Sequence, residues 1–563
     1  MKNRTGKRIA IGLMSAIMIL LTACSGSGGN PADSGSQSGS PASSASPTKA
    51  AEAADGPLVK FDPPIEVKIG RTGDGLKFEP GQDINKNLVS DFYEKELGVK
   101  FINEWVVNWN QYDSKVNVAI SSGSIPDMLQ VTGSQLKTLV EADMIEDLTD
   151  VFAKYVSPET KKVMTEDGGF AINAATIDGK MYGIPNTTPG YGTSSMLWVR
   201  QDWLDKLGLQ PPKTVDEVVK VAAAFKEANL GGDKGTYGLG LSKELMKGQH
   251  VFGLFNSYHA YPGQWYKDAS GKTVYGSIQP EMRAPLLKLA ELYKAGLIDK
   301  EFAVKDDAKM QEAIIAGKLG LFYGSFAMGW YLRDFIVNNP EAVLYAYPLP
   351  TADGAPAKAF LGPTANTFWV VKKGFKHPEA VVKVANFWQE HWFTNPKLEY
   401  STNQGTGIAY YQYAVITFTP VMGAVVESNN VRAALEANKQ PDEKTMTANE
   451  FGYLKGIYKY KANPLNTKDP EIATSWIYHT TVGTPNSGAE ILSHYFKNKL
   501  TIGTGLKASS TPTMAEKWAT LTKMEEVMIT KIVMGEAGIE EFDRFVQDWN
   551  KQGGEQITKE VNE

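Results

Sequence analysis

The chain has 563 residues, a formal net charge of -5, 42% hydrophobic residues and a single cysteine. Its length exceeds what one core usually organises, so at least two lobes are expected. One thiol excludes an internal disulfide, a multi-thiolate metal site and a dithiol redox motif, and the acidic balance argues against nucleic acid as a partner.

Lys2, Arg4, Lys7 and Arg8 precede the thirteen-residue apolar run Ile9 to Leu21, and Thr22 and Ala23 stand directly before Cys24. This order is the basic region, apolar region and small-residue cleavage site of a secretory signal. Thirteen apolar residues fall short of the ~20 that a bilayer span needs, so the run is no permanent anchor. Leu21-Thr22-Ala23-Cys24 resembles the lipobox of bacterial lipoproteins, in which the cysteine is acylated and becomes the new N-terminus. The resemblance implies a signal peptide over residues 1–23, lipidation at Cys24, and residence on the outer face of the cytoplasmic membrane. From Ser25 to Gly56, 25 of 32 residues are Ser, Gly, Pro or Ala. Such a stretch cannot bury enough apolar surface to offset its ordering entropy, so residues 24–56 read as the lipidated cysteine and a disordered tether. Losing the leader removes four positive and no negative charges, leaving the mature chain at -9.

Ile65 to Ile69 alternates apolar and polar residues and runs into the open loop Gly70 to Gly75, which predicts a first strand. A helix through Leu88, Phe92 and Leu97, a strand over Val99 to Ile102, a helix around Tyr112 to Ile120 and a strand over Ile125 to Val131 follow. That β, α, β, α, β order predicts a parallel sheet. Further on, Met196 to Val199 reads as a buried strand. After Pro211-Pro212, Thr214 and Glu217 form a capping box ahead of the apolar face Val215, Val218, Val221, Ala222 and Phe225. A helix from Pro280 to Ala295, strands over Leu319 to Tyr323 and Thr367 to Val371, and a helix begun by His377-Pro378-Glu379 come next. Beyond residue 420 the pattern is mostly helical and ends in an amphipathic run from Met524 to Trp549.

Several of these stretches together resemble the type II solute-binding lipoproteins of ABC importers, in particular the large branch associated with oligosaccharide uptake. The resemblance is carried by Ser122-Gly123-Ser124-Ile125-Pro126-Asp127, by Asp178-Gly179-Lys180-Met181-Tyr182-Gly183-Ile184-Pro185 and by Trp198 to Leu209. It continues through Tyr293 to Asp299, His377 to Ala380, and Met534-Gly535-Glu536 followed by Phe542 to Trp549. It implies an α/β, two-lobed type II periplasmic-binding-protein-like fold with a hinge and an interlobe ligand cleft. The first lobe would take residues 57–190 plus 363–425, and the second 191–362 plus 426–563. It also implies a carbohydrate ligand, ABC permease subunits as partners and action as a monomer. Many relatives carry an acidic calcium loop where this chain reads Gly231 to Leu239. Asp233 alone cannot supply the ~6 to 8 oxygen ligands of calcium, so no metal and no cofactor are expected.

A sugar offers apolar C–H faces and a hydroxyl rim, so its site needs aromatic platforms and a few polar side chains, placed on loops at the carboxyl ends of strands. Arg71 and Asp74 follow the first strand, and Thr132, Ser134 and Gln135 follow the third. Thr187 and Tyr191 stand where the chain resembles the first interlobe crossing. The segment Tyr323 to Trp330 follows a strand of the second lobe. Likeness to maltose-binding-type relatives nominates Phe326 and Trp265 as platforms, with Trp330 beside them. Asp127 reads as structural.

No catalytic residue is nominated. His250, His259, His377, His391, His479 and His494 show no metal-ligand spacing, and no Gly-x-Ser-x-Gly elbow occurs. Paired carboxylates converge only in three dimensions, so a secreted glycoside hydrolase or lyase stays open beside a surface adhesion lipoprotein.

If Cys24 is acylated, Cys24→Ala leaves the globular part folded but releases it to the medium or leaves it as uncleaved precursor. Intact mass of the wild-type protein should show added lipid, with the thiol-linked and amide-linked chains that stable anchoring requires. An unlipidated wild-type chain with a different N-terminus would rule this out.

Overall fold

The structure, a computed structural model, describes residues 55–245, 249–402, 408–506 and 511–563. Cys24, its leader and the tether through residue 54 lie outside the described residues. Among those described, eight strands build the two larger sheets: β1 (Ile65–Thr72), β2 (Val99–Val107), β3 (Met128–Thr132), β4 (Ile184–Thr187), β5 (Ser195–Arg200), β6 (Leu321–Ser325), β7 (Leu344–Tyr347) and β8 (Ala365–Val371).

The first sheet has the order β2-β1-β3-β8-β4. β1 runs parallel to β2 and β3, with Ile65 opposite Val99 and Ile69 opposite Met128. The alternating pattern of β1 buries Ile65, Val67 and Ile69. β8 is antiparallel to both its neighbours, with Thr367 opposite Thr132 and Phe368 opposite Pro185. The sheet is therefore mixed and not wholly parallel, because β8 re-enters it from the far side after a long excursion. In the second sheet β5 lies between β6 and β7, antiparallel to both, and all six of its residues are buried.

Helices cover both sheets. α1 (Trp109–Ser121) and α2 (Gly133–Glu141) follow β2 and β3 directly. In α3 (Val215–Glu227), Thr214 and Glu217 cap each other reciprocally, and the predicted apolar face is the buried one. α4 (Ala380–Gln389), buried along its whole length, follows β8. The C-terminal part is helical, with α5 (Gly423–Glu436), α6 (Ala448–Ala462), α7 (Pro512–Met534) and α8 (Glu540–Trp549). The run from Met524 to Trp549 is two helices and not one, since Gly535 takes a left-handed conformation (φ 76°) that ends α7. Among the described residues no helix is long and apolar enough to cross a membrane.

Two main hydrophobic cores result. One gathers residues from Phe61 to Ile184 and from Ala365 to Phe418; the other gathers Tyr191 to Ala359 and Val425 to Val561. The chain passes between them three times, and the three passages are hydrogen-bonded side by side. Thr188 N donates to Thr364 O at 2.7 Å and Gly362 N to Gly190 O at 2.8 Å. Thr419 N donates to Thr187 O at 2.8 Å, and Thr187 Oγ1 returns a bond to Thr419 O at 3.0 Å. Where the first two passages touch, only glycine fits, because a Cβ on Gly190 would lie 2.4 Å from Gly362 O.

Gly190→Ala should therefore cost about 1–3 kcal/mol through overpacking. Gly192→Ala, where a Cβ meets nothing within 4 Å, should stay within about 0.5 kcal/mol of wild type. Denaturant unfolding of the two variants checks this, and equal losses would contradict the close approach.

Candidate functional site

A cavity of about 580 Å³ has walls from both cores. The first core contributes Trp388 at the end of α4, Trp392 in the turn after it, and Tyr411 and Thr419 on the way to the third passage; the second contributes Trp330, Glu427 of α5, and Asn449 and Tyr453 of α6. Trp388 and Trp392 stack at 4.4 Å, and Trp330 meets Tyr478 edge-on at 5.5 Å. Trp330 is 40% exposed and Tyr411 42%. Large aromatics left uncovered on one concave surface mark a site that something else covers. A hollow of about 600 Å³ over Phe61 to Glu66 and Lys372 to His377 involves only segments of the first core. A smaller one, about 250 Å³, lies against the passages beside Tyr191 and Thr364.

The polar wall of the main cavity centres on Glu427. Asn449 Nδ2 donates to both its oxygens, at 3.2 and 3.1 Å, and Thr447 Oγ1 donates to Oε1 at 3.2 Å. Its carboxylate has no ion-pair partner among the described residues. Burial pushes its pKa up to about 7, and the Glu450 carboxylate nearby pushes the same way. Burial likewise raises the Tyr453 hydroxyl, with Glu427 adding to the effect.

The residues expected from sequence fall in different places. Trp330 lines the cavity. Thr187 is wholly buried and clamps Thr419, one of the lining residues. Tyr191 is buried too; its hydroxyl accepts from Ala424 N at 3.1 Å and its ring meets Phe326 edge-on at 5.2 Å, so both pack beside the passages and outside the cavity wall. Arg71 donates to Tyr413 O at 2.9 Å and Gln412 O at 3.3 Å, holding the stretch next to Tyr411. Thr132 caps α2 through a reciprocal pair with Gln135, and the exposed Ser134 lies 3.1 Å from its hydroxyl. Arg71, Thr132 and Ser134 thus stand at the carboxyl ends of β1 and β3, as their positions predict, but outside the cavity lining. Asp127 is structural, its carboxylate accepting from Lys68 N at 2.9 Å.

Trp265 is a core residue. It is 3% exposed, lies 5.1 Å from Tyr275 and 6.3 Å from both Trp518 and Trp549, and borders a separate hollow of about 340 Å³. Beneath it Tyr275 donates to the buried Glu525 at 2.7 Å, and burial pushes that carboxyl up to about 7.

Sequence reasoning missed Tyr411 and Glu427, which line the cavity, and the exposed Trp109, which does not. Trp109 is 71% exposed at the start of α1, its backbone N–H held by the Asp74 carboxylate. The signal for it was present: a tryptophan at a strand-to-helix junction on the same end of the sheet as Arg71 and Thr132. Among the described residues no three His, Cys, Asp or Glu side chains converge as a metal site would require.

Residues 78–391 match the family described as bacterial extracellular solute-binding protein. The polygalacturonan/rhamnogalacturonan-binding protein YtcQ of Bacillus subtilis (strain 168) is 23% identical over 510 residues, 90% of this chain and 92% of its own. Lipoprotein LipO of the same strain is 22% identical over 488 residues, 83% and 87% of the two chains. The solved structure of the S. pneumoniae ABC-transporter substrate-binding protein FusA, an EF-hand mutant in complex with fructo-nystose, superposes with a TM-score of 0.55 at 18% identity, covering 88% of this chain and 97% of that one.

Trp265→Ala should cost about 3–5 kcal/mol of stability, as truncation of a core aromatic does. Trp330→Ala, at a site already open to water, should cost less than about 1 kcal/mol. Urea unfolding of both separates them, and the reverse order would reassign the two residues.

Proposed function

Because the chain belongs to the bacterial extracellular solute-binding protein family, we propose that it captures a carbohydrate, an oligosaccharide, between its two cores and hands it unchanged to the permease of an ABC importer. The observation that carries this reading is the aromatic cavity with walls from both cores. Stacked rings suit the C–H faces of sugars, and Glu427, Asn449 and Thr447 suit their hydroxyls.

In this reading the lobes are residues 57–190 plus 363–425 and 191–362 plus 426–563, closing about the three passages. Ligand drives closure only by binding the closed form better than the open one. Trp330 and Tyr411 are the stacking surfaces, and Trp109 comes down from the rim of the first sheet. Arg71, Thr132 and Ser134 supply polar contacts there, while Thr187, Tyr191 and Phe326 serve the hinge. Acylated Cys24 holds a monomeric receptor on the outer face of the cytoplasmic membrane. The names of YtcQ and FusA, which pair relatives with glycans, support the ligand class, and the name of LipO supports the lipid anchor.

A bound oligosaccharide at a hundredfold excess over its Kd should stabilise the protein by about 2.7 kcal/mol, read as a higher Tm. Trp330→Ala should weaken binding about ten- to a hundredfold in calorimetry. The sugar should be recovered intact after prolonged incubation. No Tm shift with any oligosaccharide would overturn the proposal, and product accumulating over many turnovers would mark an enzyme.

A further inference from the structure

The polar wall of the cavity carries information about which sugars it admits, an inference that depends on the carbohydrate reading above. Of the described residues that line it, only Glu427 and Lys455 are charged. Lys455 is exposed, with its ammonium 5.6 Å from the centre of the Phe451 ring. Glu427 is buried to 8% exposure and has no ion-pair partner among the described residues. A second carboxylate acts on it, Glu450, also buried, which accepts from Asn430 Nδ2 at 2.6 Å and Thr447 N at 2.9 Å and likewise has no ion-pair partner among the described residues.

A carboxylate has about four acceptor positions. Asn449 and Thr447 supply three contacts to Glu427, all at 3.1–3.2 Å, long for bonds to a charged acceptor. The wall therefore still wants a proton donor, and its two carboxylates hold negative potential that no ion pair among the described residues offsets. A sugar hydroxyl meets that need. A uronate carboxylate brought to the same wall meets two like charges in a partly desolvated space, which is a standard means of rejecting a wrong partner.

We infer that Glu427 is a specificity-determining residue, accepting a hydroxyl hydrogen bond from an uncharged oligosaccharide and turning away uronate-containing ones. Its contacts to Asn449 and Thr447 also tie α5 to the start of α6, so a purely structural role has to be separated from this one. Glu427→Gln is near-isosteric and removes the charge; its remaining oxygen still accepts from Thr447 and Asn449, while the new NH2 gives up the second Asn449 bond.

The test is calorimetry on the Cys24→Ala chain at pH 8, above the titration of Glu427. The probes are neutral fructo-, gluco- and galacto-oligosaccharides and length-matched oligogalacturonates, with the Tm of each variant recorded. Wild type should bind at least one neutral sugar at least a hundredfold tighter than any oligogalacturonate. Glu427→Gln, still folded, should narrow that ratio by tenfold or more, partly through gained uronate binding. A lower Tm with an unchanged ratio means that Glu427 is structural only and overturns the inference. Should the glutamine variant fail to fold, Asn449→Ala replaces it: freeing the carboxylate should widen the ratio, and an unchanged or smaller ratio overturns the inference. Tight oligogalacturonate binding by wild type overturns this inference but leaves the carbohydrate reading standing. If no sugar of either kind binds, both fall.

Discussion

The structure depends on three passages of chain that lie side by side and satisfy one another. Buried backbone N–H and C=O groups must find partners, and a chain moving from one core to another leaves the ladders that would supply them. Here the passages pair with each other: Thr187 with Thr419 in both directions, Thr188 with Thr364, and Gly362 with Gly190. Since those bonds join passage to passage, they make no demand on the angle between the cores. The cores keep separate interiors, and the aromatic cavity forms where their walls face each other beside the Thr187–Thr419 clamp.

Two buried carboxyls show how one electrostatic situation serves different ends. Glu427 and Glu525 are both pushed by burial to about 7. Glu525 sits beneath the Trp265, Tyr275 and Trp549 cluster, takes its bond from Tyr275, and is sealed from water. Glu427 is held by two side chains of its own wall and borders the cavity. The first can relieve its desolvation only through the protein or a proton; the second can also relieve it through whatever enters.

Local signals were readable where local forces decide. The reciprocal cap of Thr214 and Glu217, the buried face of α3 and the alternation in β1 all involve neighbours within a few residues. The site was less readable because distant segments build it. Trp265 resembles a hairpin-edge platform, yet Trp518 and Trp549, more than 250 positions further on, bury it. Glu427 reads as one polar residue on an ordinary helix until α6 brings Asn449 beside it. Tyr411 is placed by Arg71, which grips the adjacent carbonyls from the other end of the first core. Trp330 was legible since a turn after a buried strand leaves few places for an indole except the surface.

The mixed order of the first sheet bears on how the protein is made. β8 lies between β3 and β4, yet it is synthesised after the whole of the second sheet. As the chain emerges from the ribosome, β1 to β4 are present without the strand that joins them, and the long closure to β8 comes late because loop entropy opposes it. The first half therefore stays unfinished, with strand edges open, until residue 371 is out.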